Sequence, residues 1–195
     1  MTAKLTAALF LIVSAFAGWS CQPVRAADDP EFFPSFGNGP VEVRVYANYF
    51  CPPCKTLESR IDPILLDLAE RQRIRLKLID VPSDRESLLF AHYFLYSLKA
   101  ENNLEQALFV RALLFDAAFS GKVKTGEDLA KLFEEYRVPY RIFDPRFLYP
   151  RFQELLDEDN VRSTPTVVII KDGKKHSHSG VDPITSALRD FFPAR

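Results

Sequence analysis

The sequence is poor in metal-binding residues and has no excess of either charge. Its 195 residues include three cysteines and three histidines, and 25 Lys and Arg stand against 26 Asp and Glu. A structural zinc site needs four ligands, commonly two CXXC pairs or one pair with two histidines, and the chain has one pair. A net charge of −1 gives no electrostatic case for nucleic-acid binding. We therefore predict neither a metal site nor a nucleic-acid partner.

Long apolar runs are missing too, except at the start of the chain. Leu5 to Ala17 is apolar, and Val24-Arg25-Ala26 has the small residues that suit signal peptidase. We interpret residues 1–26 as a cleavable secretory signal peptide, since an apolar run of about 13 residues is short of the ~20 that span a bilayer. Alternatives that retain the chain at a membrane are an uncleaved signal and lipidation of Cys21, although a tryptophan two residues earlier does not suit lipoprotein processing.

The rest of the chain has the composition of one globular domain. It is rich in Phe, with 17 against one Met and one Trp, and 47% of the whole sequence is hydrophobic, which excludes a disordered or fibrous protein. Removal of residues 1–26 leaves 23 basic and 26 acidic residues, and Cys51 and Cys54 become the only thiols. A secreted chain carries these thiols into an oxidising compartment.

Hydrophobic periodicity predicts an α/β order of elements. Alternating residues indicate strands, apolar residues at helical spacing indicate helices, and Asp172-Gly173 indicates a hairpin turn. Thr125 with Asp128 forms a predicted capping box, Asp144-Pro145 a predicted helix start, and Pro150 is expected to kink or break the helix that follows. The predicted order is strand, helix, strand, all-helical block, hairpin and helix, over residues 41–48, 54–71, 73–82, 84–149, 166–179 and 183–192.

The cysteine pair lies where the first strand meets the first helix. A disulfide that closes so short a loop stabilises the folded protein by only about 2 kcal/mol in the chain-entropy model. A helix N-terminus stabilises a thiolate, so Cys51 is the predicted nucleophile and Cys54 the thiol that resolves a mixed disulfide. The pattern favours redox chemistry. A purely structural disulfide and Cu(I) binding by the two thiolates, with His176 or His178, are the alternatives.

Two longer stretches resemble the DsbA-like family of exported thioredoxin-fold thiol-disulfide oxidoreductases. FGNGPVEVRVYANYFCPPC (36–54) is similar to that family's first core strand and active site, and VRSTPTVVIIKDGK (161–174) to its cis-proline loop. The resemblance implies an α/β thioredoxin fold, a central mixed sheet flanked by helices. It also implies a helical domain at residues 84–160, inserted between the two parts of the thioredoxin domain at 27–83 and 161–195.

The resemblance further implies a site made of Cys51, Cys54, Pro52, Pro53, Thr164 and Pro165. The Cys51–Cys54 pair is then a redox-active disulfide that needs no cofactor. A cis bond before Pro165 would leave the Thr164 backbone free to pair with an extended substrate. The alternative is that Pro165 starts a strand in trans.

Two departures from the family pattern bear on redox strength. Many relatives carry a buried acid six positions before the first cysteine, where this chain has Val45, and strongly oxidising relatives often carry a histidine where it has Pro53. Pro53 restricts Pro52 to an extended conformation and stiffens the pair but supplies no hydrogen-bond donor. We therefore expect Cys51 to be less acidified, and the disulfide less oxidising, than in a histidine-containing site.

The expected function is disulfide exchange with protein substrates in the periplasm through a mixed disulfide on Cys51. Donation of the disulfide by a monomer that a membrane redox partner recycles is the first hypothesis. Reduction or isomerisation, for instance in cytochrome maturation, is the alternative direction. A non-enzymatic thioredoxin-fold module that binds copper or peptides is the alternative of another class.

Overall fold

The computed structural model describes residues 33–193, and the expected signal peptide with Cys21 lies outside this part. The described residues contain a five-stranded sheet with the strand order β1-β3-β2-β4-β5. The β2 and β3 strands are parallel, and the other neighbouring strands are antiparallel. The strands are β1 (Ser35–Phe36), β2 (Val41–Ala47), β3 (Ile74–Asp80), β4 (Thr166–Lys171) and β5 (Lys174–Ser179).

Six α-helices and one 3-10 helix accompany the sheet, which confirms the predicted α/β class with its helical insertion. Four α-helices and the 3-10 helix come between β3 and β4. None of the described helices is long and apolar enough to cross a membrane. The helices are α1 (Pro52–Glu70), α2 (Arg85–Ala100), α3 (Leu104–Ser120), α4 (Gly126–Glu135), a 3-10 helix (Pro145–Leu148), α5 (Tyr149–Glu158) and α6 (Val181–Phe191).

The local signals in the sequence operate as predicted at most element ends. Thr125 accepts a hydrogen bond from the Asp128 amide at 3.1 Å and completes a capping box. Asp172 and Gly173 both adopt positive φ in the β4–β5 hairpin. Pro150 stands in the first turn of α5, so the predicted break is a change from 3-10 to α-helix. The two-residue strand β1 was not predicted, because it is too short to show a period.

The central strand β2 is buried along its whole length, and its two faces carry different residues. Val41, Val43 and Val45 lie on one face, and polar residues alternate with them on the other. On that second face Tyr46 packs in an apolar cluster with Leu155 of α5. The α1 helix, by contrast, packs against β3, α3 and α6.

A group of polar and charged side chains lies on the polar face of β2, and we call it the Arg44 cluster: Arg44, Glu42, Tyr46 and Asp159, which are buried, and Lys175, which is exposed. Arg44 donates to Glu42 at 2.6 Å and to Asp159 at 2.9 Å. Asp159 also accepts from Tyr46 at 2.5 Å and from Lys175 at 2.7 Å. The cluster joins β2 and β5 to the end of α5.

Candidate redox site

The turn before the cysteines is held by Asn48, a residue that sequence reasoning missed. Its side-chain amide donates to the Val81 carbonyl at 2.8 Å, and its Oδ1 accepts from the Phe50 amide at 2.8 Å. Its own carbonyl accepts from the Cys51 amide at 3.1 Å. Asn48 is buried, and an asparagine directly after a central parallel strand is the sequence signal that could have identified it. It fixes the cysteine turn to the end of β3.

Cys51 and Cys54 form a disulfide at the start of α1. Cys51 is the N-cap residue, and its Sγ accepts a hydrogen bond from the Cys54 amide at 3.3 Å. Cys51 is partly exposed, whereas Cys54 is fully buried. The unpaired amides of a helix N-terminus stabilise negative charge on a sulfur placed there. Cys51 is therefore both the more accessible sulfur and the one better placed to be a thiolate.

The prolines between the cysteines occupy the first turn of α1. Pro52 and Pro53 are both exposed, and Pro52 is the first helical residue. The missing amide of a proline leaves no hydrogen bond unmade at this position. Pro52 and Pro53 thus form the exposed rim of the cysteine pair, and these rigid residues offer no backbone N–H as a hydrogen-bond donor.

The second half of the chain brings the Thr164–Pro165 loop to the cysteine pair. The peptide bond between these residues is cis, so the alternative of a trans strand start is wrong. The Thr164 carbonyl oxygen lies 3.5 Å from Cys51 Sγ. In the reduced protein the Cys51 thiol is placed to donate to this oxygen. The loop is anchored on the other side, where the Pro165 carbonyl accepts from the Gly180 amide at 3.1 Å.

Aromatic residues beside the pair divide into a buried and an exposed set. Tyr49 is fully buried and packs against Phe115, with ring centroids 4.9 Å apart, so it is a packing residue. Phe50 is partly exposed and contacts Phe90 edge-on at 5.1 Å. Phe119 is 43% exposed and lies under the ammonium group of Lys55, the residue after Cys54. Phe50, which precedes Cys51, and Phe119, which contacts Lys55, are thus two accessible apolar side chains close to the pair.

Behind the pair lies a second buried group of charges, the Arg111 cluster: Arg111, Glu58, Asp62 and Asp80. Arg111 belongs to α3 and is fully buried. It donates to both carboxylate oxygens of Glu58, from Nε at 3.0 Å and Nη2 at 2.6 Å, and from Nη1 to Asp80 at 2.6 Å. The Tyr49 hydroxyl donates to the other oxygen of Asp80 at 3.3 Å. One guanidinium of the insertion thus joins α1, β3 and the cysteine turn.

Two carboxyl groups of this cluster, those of Asp62 and Asp80, hold protons more tightly than usual. Burial, together with the charge of Glu58, raises the pKa of Asp62 from 3.8 to about 8. Its Oδ1 is buried and has no hydrogen-bond partner. Burial also raises the pKa of Asp80, although Arg111 opposes the shift. Burial by itself would lower the pKa of Arg111, but the charge of Glu58 raises it. Arg111 therefore stays charged among carboxylates that are short of compensating cations.

The histidines considered for metal binding lie on the edge strand β5. His176 and His178 both face Phe191, with ring centroids 4.9 and 6.5 Å away. Among residues 33–193, no group of three or more His, Cys, Asp or Glu side chains is arranged to hold a metal ion. His176 and His178 therefore belong to no such group of three in this part of the chain.

Comparison with known proteins places this geometry in a family. A thioredoxin family model matches residues 37–190. A comparison with curated protein sequences found no significant match. Among solved structures, α-DsbA1 from Wolbachia pipientis aligns with a TM-score of 0.63 and 15% identity, covering 82% of this chain and 90% of that one. A putative protein-disulfide isomerase from Pseudomonas syringae aligns with a TM-score of 0.63 and 15% identity, covering 83% and 98%.

A third neighbour has a similar alignment. A periplasmic thioredoxin-like protein from Salmonella enterica serovar Typhimurium gives a TM-score of 0.60 at 18% identity, covering 85% of this chain and 91% of that one. At such identities these structures show a shared fold. The family model covers most of the chain and includes both cysteines. The chain belongs to the thioredoxin family, and its cysteine pair at the start of α1, on a fold shared with DsbA-like proteins, makes it a thiol-disulfide oxidoreductase.

Proposed function

We propose that this protein is a periplasmic enzyme that donates its Cys51–Cys54 disulfide to protein substrates. The observation that carries the proposal is the asymmetry of the pair. Cys51 is partly exposed, caps α1 and lies beside Thr164, whereas Cys54 is buried beneath it. A substrate thiolate therefore has one sulfur to attack, and the other sulfur is protected as the leaving group.

The exchange proceeds in two balanced steps. A substrate thiolate attacks Cys51 Sγ, the disulfide breaks, and its electron pair leaves on Cys54 Sγ, which takes up a proton. A second substrate thiolate then attacks the substrate sulfur of the mixed disulfide and releases Cys51 as a thiolate. The substrate has lost two electrons and the cysteine pair has gained them. The amide of Cys54 and the N-terminus of α1 stabilise the Cys51 thiolate that is released.

The Thr164–Pro165 loop is the proposed substrate-binding element. Its backbone lies against Cys51, and residues 161–163 before it are in neither helix nor strand. An extended substrate segment can add backbone hydrogen bonds to such a loop, as in β-augmentation. Phe50 and Phe119 offer apolar contacts at the rim. The proposed partners are thus proteins with paired thiols and a membrane redox protein that reoxidises Cys51 and Cys54.

The periplasmic location and the monomeric state are part of the proposal. Residues 1–26 read as a signal peptide, and one of the structural neighbours is itself a periplasmic thioredoxin-like protein. An uncleaved signal or lipidation of Cys21 would instead hold the same enzyme at the membrane.

The direction of exchange is tested by equilibrating the mature protein with glutathione buffers. A reduction potential near the roughly −120 mV of a strong periplasmic oxidant supports disulfide donation. A potential near the roughly −270 mV of thioredoxin overturns it in favour of reduction, the second candidate. That candidate is favoured by one observation, the buried carboxylate of Glu58 one helical turn after Cys54.

Cysteine replacement separates the enzyme from a binding module. Cys51→Ala is expected to abolish exchange with insulin or a model peptide, with metal binding negligible in the natural protein. A natural protein that binds partners or copper but shows no exchange would overturn the enzymatic proposal.

A further inference from the structure

Residues 136–152 of the helical insertion, YRVPYRIFDPRFLYPRF, alternate apolar side chains with arginines. Six large hydrophobic residues are exposed in the described part of the chain, and four of them belong to this segment: Tyr136, Tyr140, Ile142 and Phe147. The segment also holds four arginines, Arg137, Arg141, Arg146 and Arg151, against one acidic residue, Asp144. It is therefore both apolar and basic at its surface, in a chain whose net charge is −1.

The most exposed of these hydrophobic residues, Ile142, is held in place by its two neighbours. Before it, the Arg141 amide donates to the Tyr96 carbonyl of α2 at 2.9 Å. After it, the Phe143 ring packs edge-on against Tyr96 with centroids 5.7 Å apart, and lies 6.0 Å from the ring of Phe147. Ile142 stays 68% exposed between these two anchor points. Its exposure is thus imposed by the packing of the chain on either side.

Arginines next to Ile142 are available to an outside partner. Arg146 and Arg151 each pair with a nearby carboxylate. Arg137 and Arg141 are exposed, and neither guanidinium forms an ion pair with another residue of the described range 33–193. We call the group of exposed residues without such compensation, together with the two aromatic residues beside them, the Ile142 surface: Arg137, Tyr140, Arg141, Ile142 and Phe147.

An anionic lipid bilayer offers both kinds of partner that the Ile142 surface needs. Lipid phosphates accept hydrogen bonds from a guanidinium in the bidentate geometry that arginine favours. Acyl chains begin directly beneath the headgroups and take up an aliphatic side chain, while tyrosine and phenylalanine rings are typical of residues at that boundary. An acidic protein would also neutralise the arginines, but it would need its own apolar pocket opposite Ile142.

We propose that the Ile142 surface binds the face of a membrane that contains anionic phospholipid. Ile142 and Phe147 insert between the headgroups, and Arg137 and Arg141 contact the phosphates. The binding is peripheral and needs no span of the bilayer.

The α2 helix separates this surface from the redox site. Tyr96 contacts the segment, whereas Phe90 of the same helix is buried and contacts Phe50 of the cysteine turn, with ring centroids 5.1 Å apart. Phe90 and Tyr96 are six positions apart and so lie on different faces of α2. Membrane binding is therefore expected to leave Cys51 uncovered. The proposal goes beyond the proposed function and does not depend on it, because it uses a different surface.

The test is co-sedimentation of the mature chain with lipid vesicles. Residues 1–26 are removed, since their apolar run would itself enter a bilayer. The chain is expected to bind vesicles of equal parts phosphatidylglycerol and phosphatidylcholine. Binding should be about tenfold weaker or less with phosphatidylcholine alone, which has no net charge, and in about 1 M NaCl, where the Debye length is about 3 Å.

Two variants of the surface separate its apolar part from its charge. Ile142→Ser should weaken binding to the anionic vesicles about five- to tenfold, because the inserted side chain loses its apolar area. The double variant Arg137→Gln with Arg141→Gln should weaken it on the order of twentyfold, since each arginine near an anionic surface contributes about fivefold. All substituted side chains are exposed, and unchanged far-UV circular dichroism verifies that the variants are folded.

Matched controls remove the same side chains elsewhere. Phe109→Ser removes an exposed ring from α3, and the double variant Lys171→Gln with Arg189→Gln removes two exposed charges outside the segment. Both should bind within about twofold of the natural protein. Cys51→Ala should also bind normally, so the loss of exchange activity and the loss of membrane binding are separate results.

Three results would overturn the proposal. The first is no binding to the anionic vesicles, and the second is equal binding to vesicles of phosphatidylcholine alone. The third is a loss in the control variants as large as that in Ile142→Ser and the double arginine variant. Binding of a soluble polyglutamate peptide through Arg137 and Arg141, without binding to vesicles, would assign the surface to an acidic protein instead.

Discussion

The two faces of the sheet each carry a buried arginine with carboxylate partners, but their charge balance is opposite. Three further cations accompany Arg44. Arg75 and Lys77 form ion pairs with Glu42, and Lys175 forms one with Asp159. With Glu158 included, these four cations face three carboxylates. Arg111 is a single cation among three carboxyl groups.

The pKa shifts follow from this difference. Hydrogen bonds from cations lower the pKa of both Glu42 and Asp159, although burial opposes the shift. In the Arg111 cluster, burial dominates, and it raises the pKa of Asp62 and of Asp80. The Arg44 cluster, whose carboxylates are compensated by cations, connects α5 to the sheet. The Arg111 cluster has more carboxyl groups than cations and lies behind the cysteine pair, where a buried charge can affect thiol chemistry.

The largest expected effect on stability comes from removing Arg111, the single cation of the Arg111 cluster. Arg111→Met should reduce the free energy of unfolding by about 3–5 kcal/mol at pH 7, because Glu58 and Asp80 would be buried without a counter-charge. Urea denaturation measures this loss. It should shrink at acid pH, where the carboxylates take up protons. A loss below about 1 kcal/mol would mean that the insertion does not depend on this cluster for its attachment.

The same change in the balanced cluster should cost less. Arg44→Met should lower the free energy of unfolding by about 1.5–3 kcal/mol, the usual value of hydrogen bonds to charged groups, because Lys77 and Lys175 remain to compensate Glu42 and Asp159. Parallel urea titrations of the two methionine variants make the comparison. Equal losses would contradict the importance of charge balance.

A gain in stability is expected where a carboxyl group has no partner. The folded protein raises the pKa of Asp62 from 3.8 to about 8, so the stability that this group contributes is present below pH 4 and is lost as pH rises towards 8. Asp62→Asn should remove that loss, and at pH 7 it should be more stable than the natural protein by at least about 1–2 kcal/mol, with no gain at pH 4. Thermal unfolding across this pH range measures the effect. Asp67→Asn, an exposed change on the same helix, is the control.

The smallest expected effect is at an exposed ion pair. Arg60 of α1 contacts Asp182 at 2.8 Å, but both side chains are largely exposed. Arg60→Met should change the free energy of unfolding by less than about 0.5 kcal/mol, because solvent screens the pair. A change as large as that of Arg44→Met would show that burial is not what separates these clusters from surface pairs.

Much of the redox site could be predicted from local sequence. A strand that runs into CXXC and an apolar helical repeat placed Cys51 at the start of α1. Asp-Gly marked the hairpin, and Thr125 marked the start of α4, because turns and caps depend on residues a few positions apart. The cis bond at Pro165 followed from a family resemblance, since no local pattern requires it.

The Arg111 cluster could not be predicted in the same way. Arg111 shows in the sequence as a lone charge within the apolar run LFVRALLF, which marks it as unusual. Its partners are 53 and 31 residues away, and nothing local connects them. The acid that the family pattern places at position 45 is a second example. The sequence has Val45 there, and the buried carboxylates come instead from Glu58 and Asp80, which lie on other elements.

The sequence by itself determined the order of strands and helices and the position of the cysteine pair, because periodicity, caps and turns are properties of neighbouring residues. Only the tertiary structure decided which charges lie behind that pair. Packing of α3 against α1 buries a guanidinium among carboxyl groups, and burial makes those charges strong, since water no longer screens them. The sequence therefore indicates the kind of chemistry, whereas the tertiary structure sets which buried charges lie near the cysteine pair.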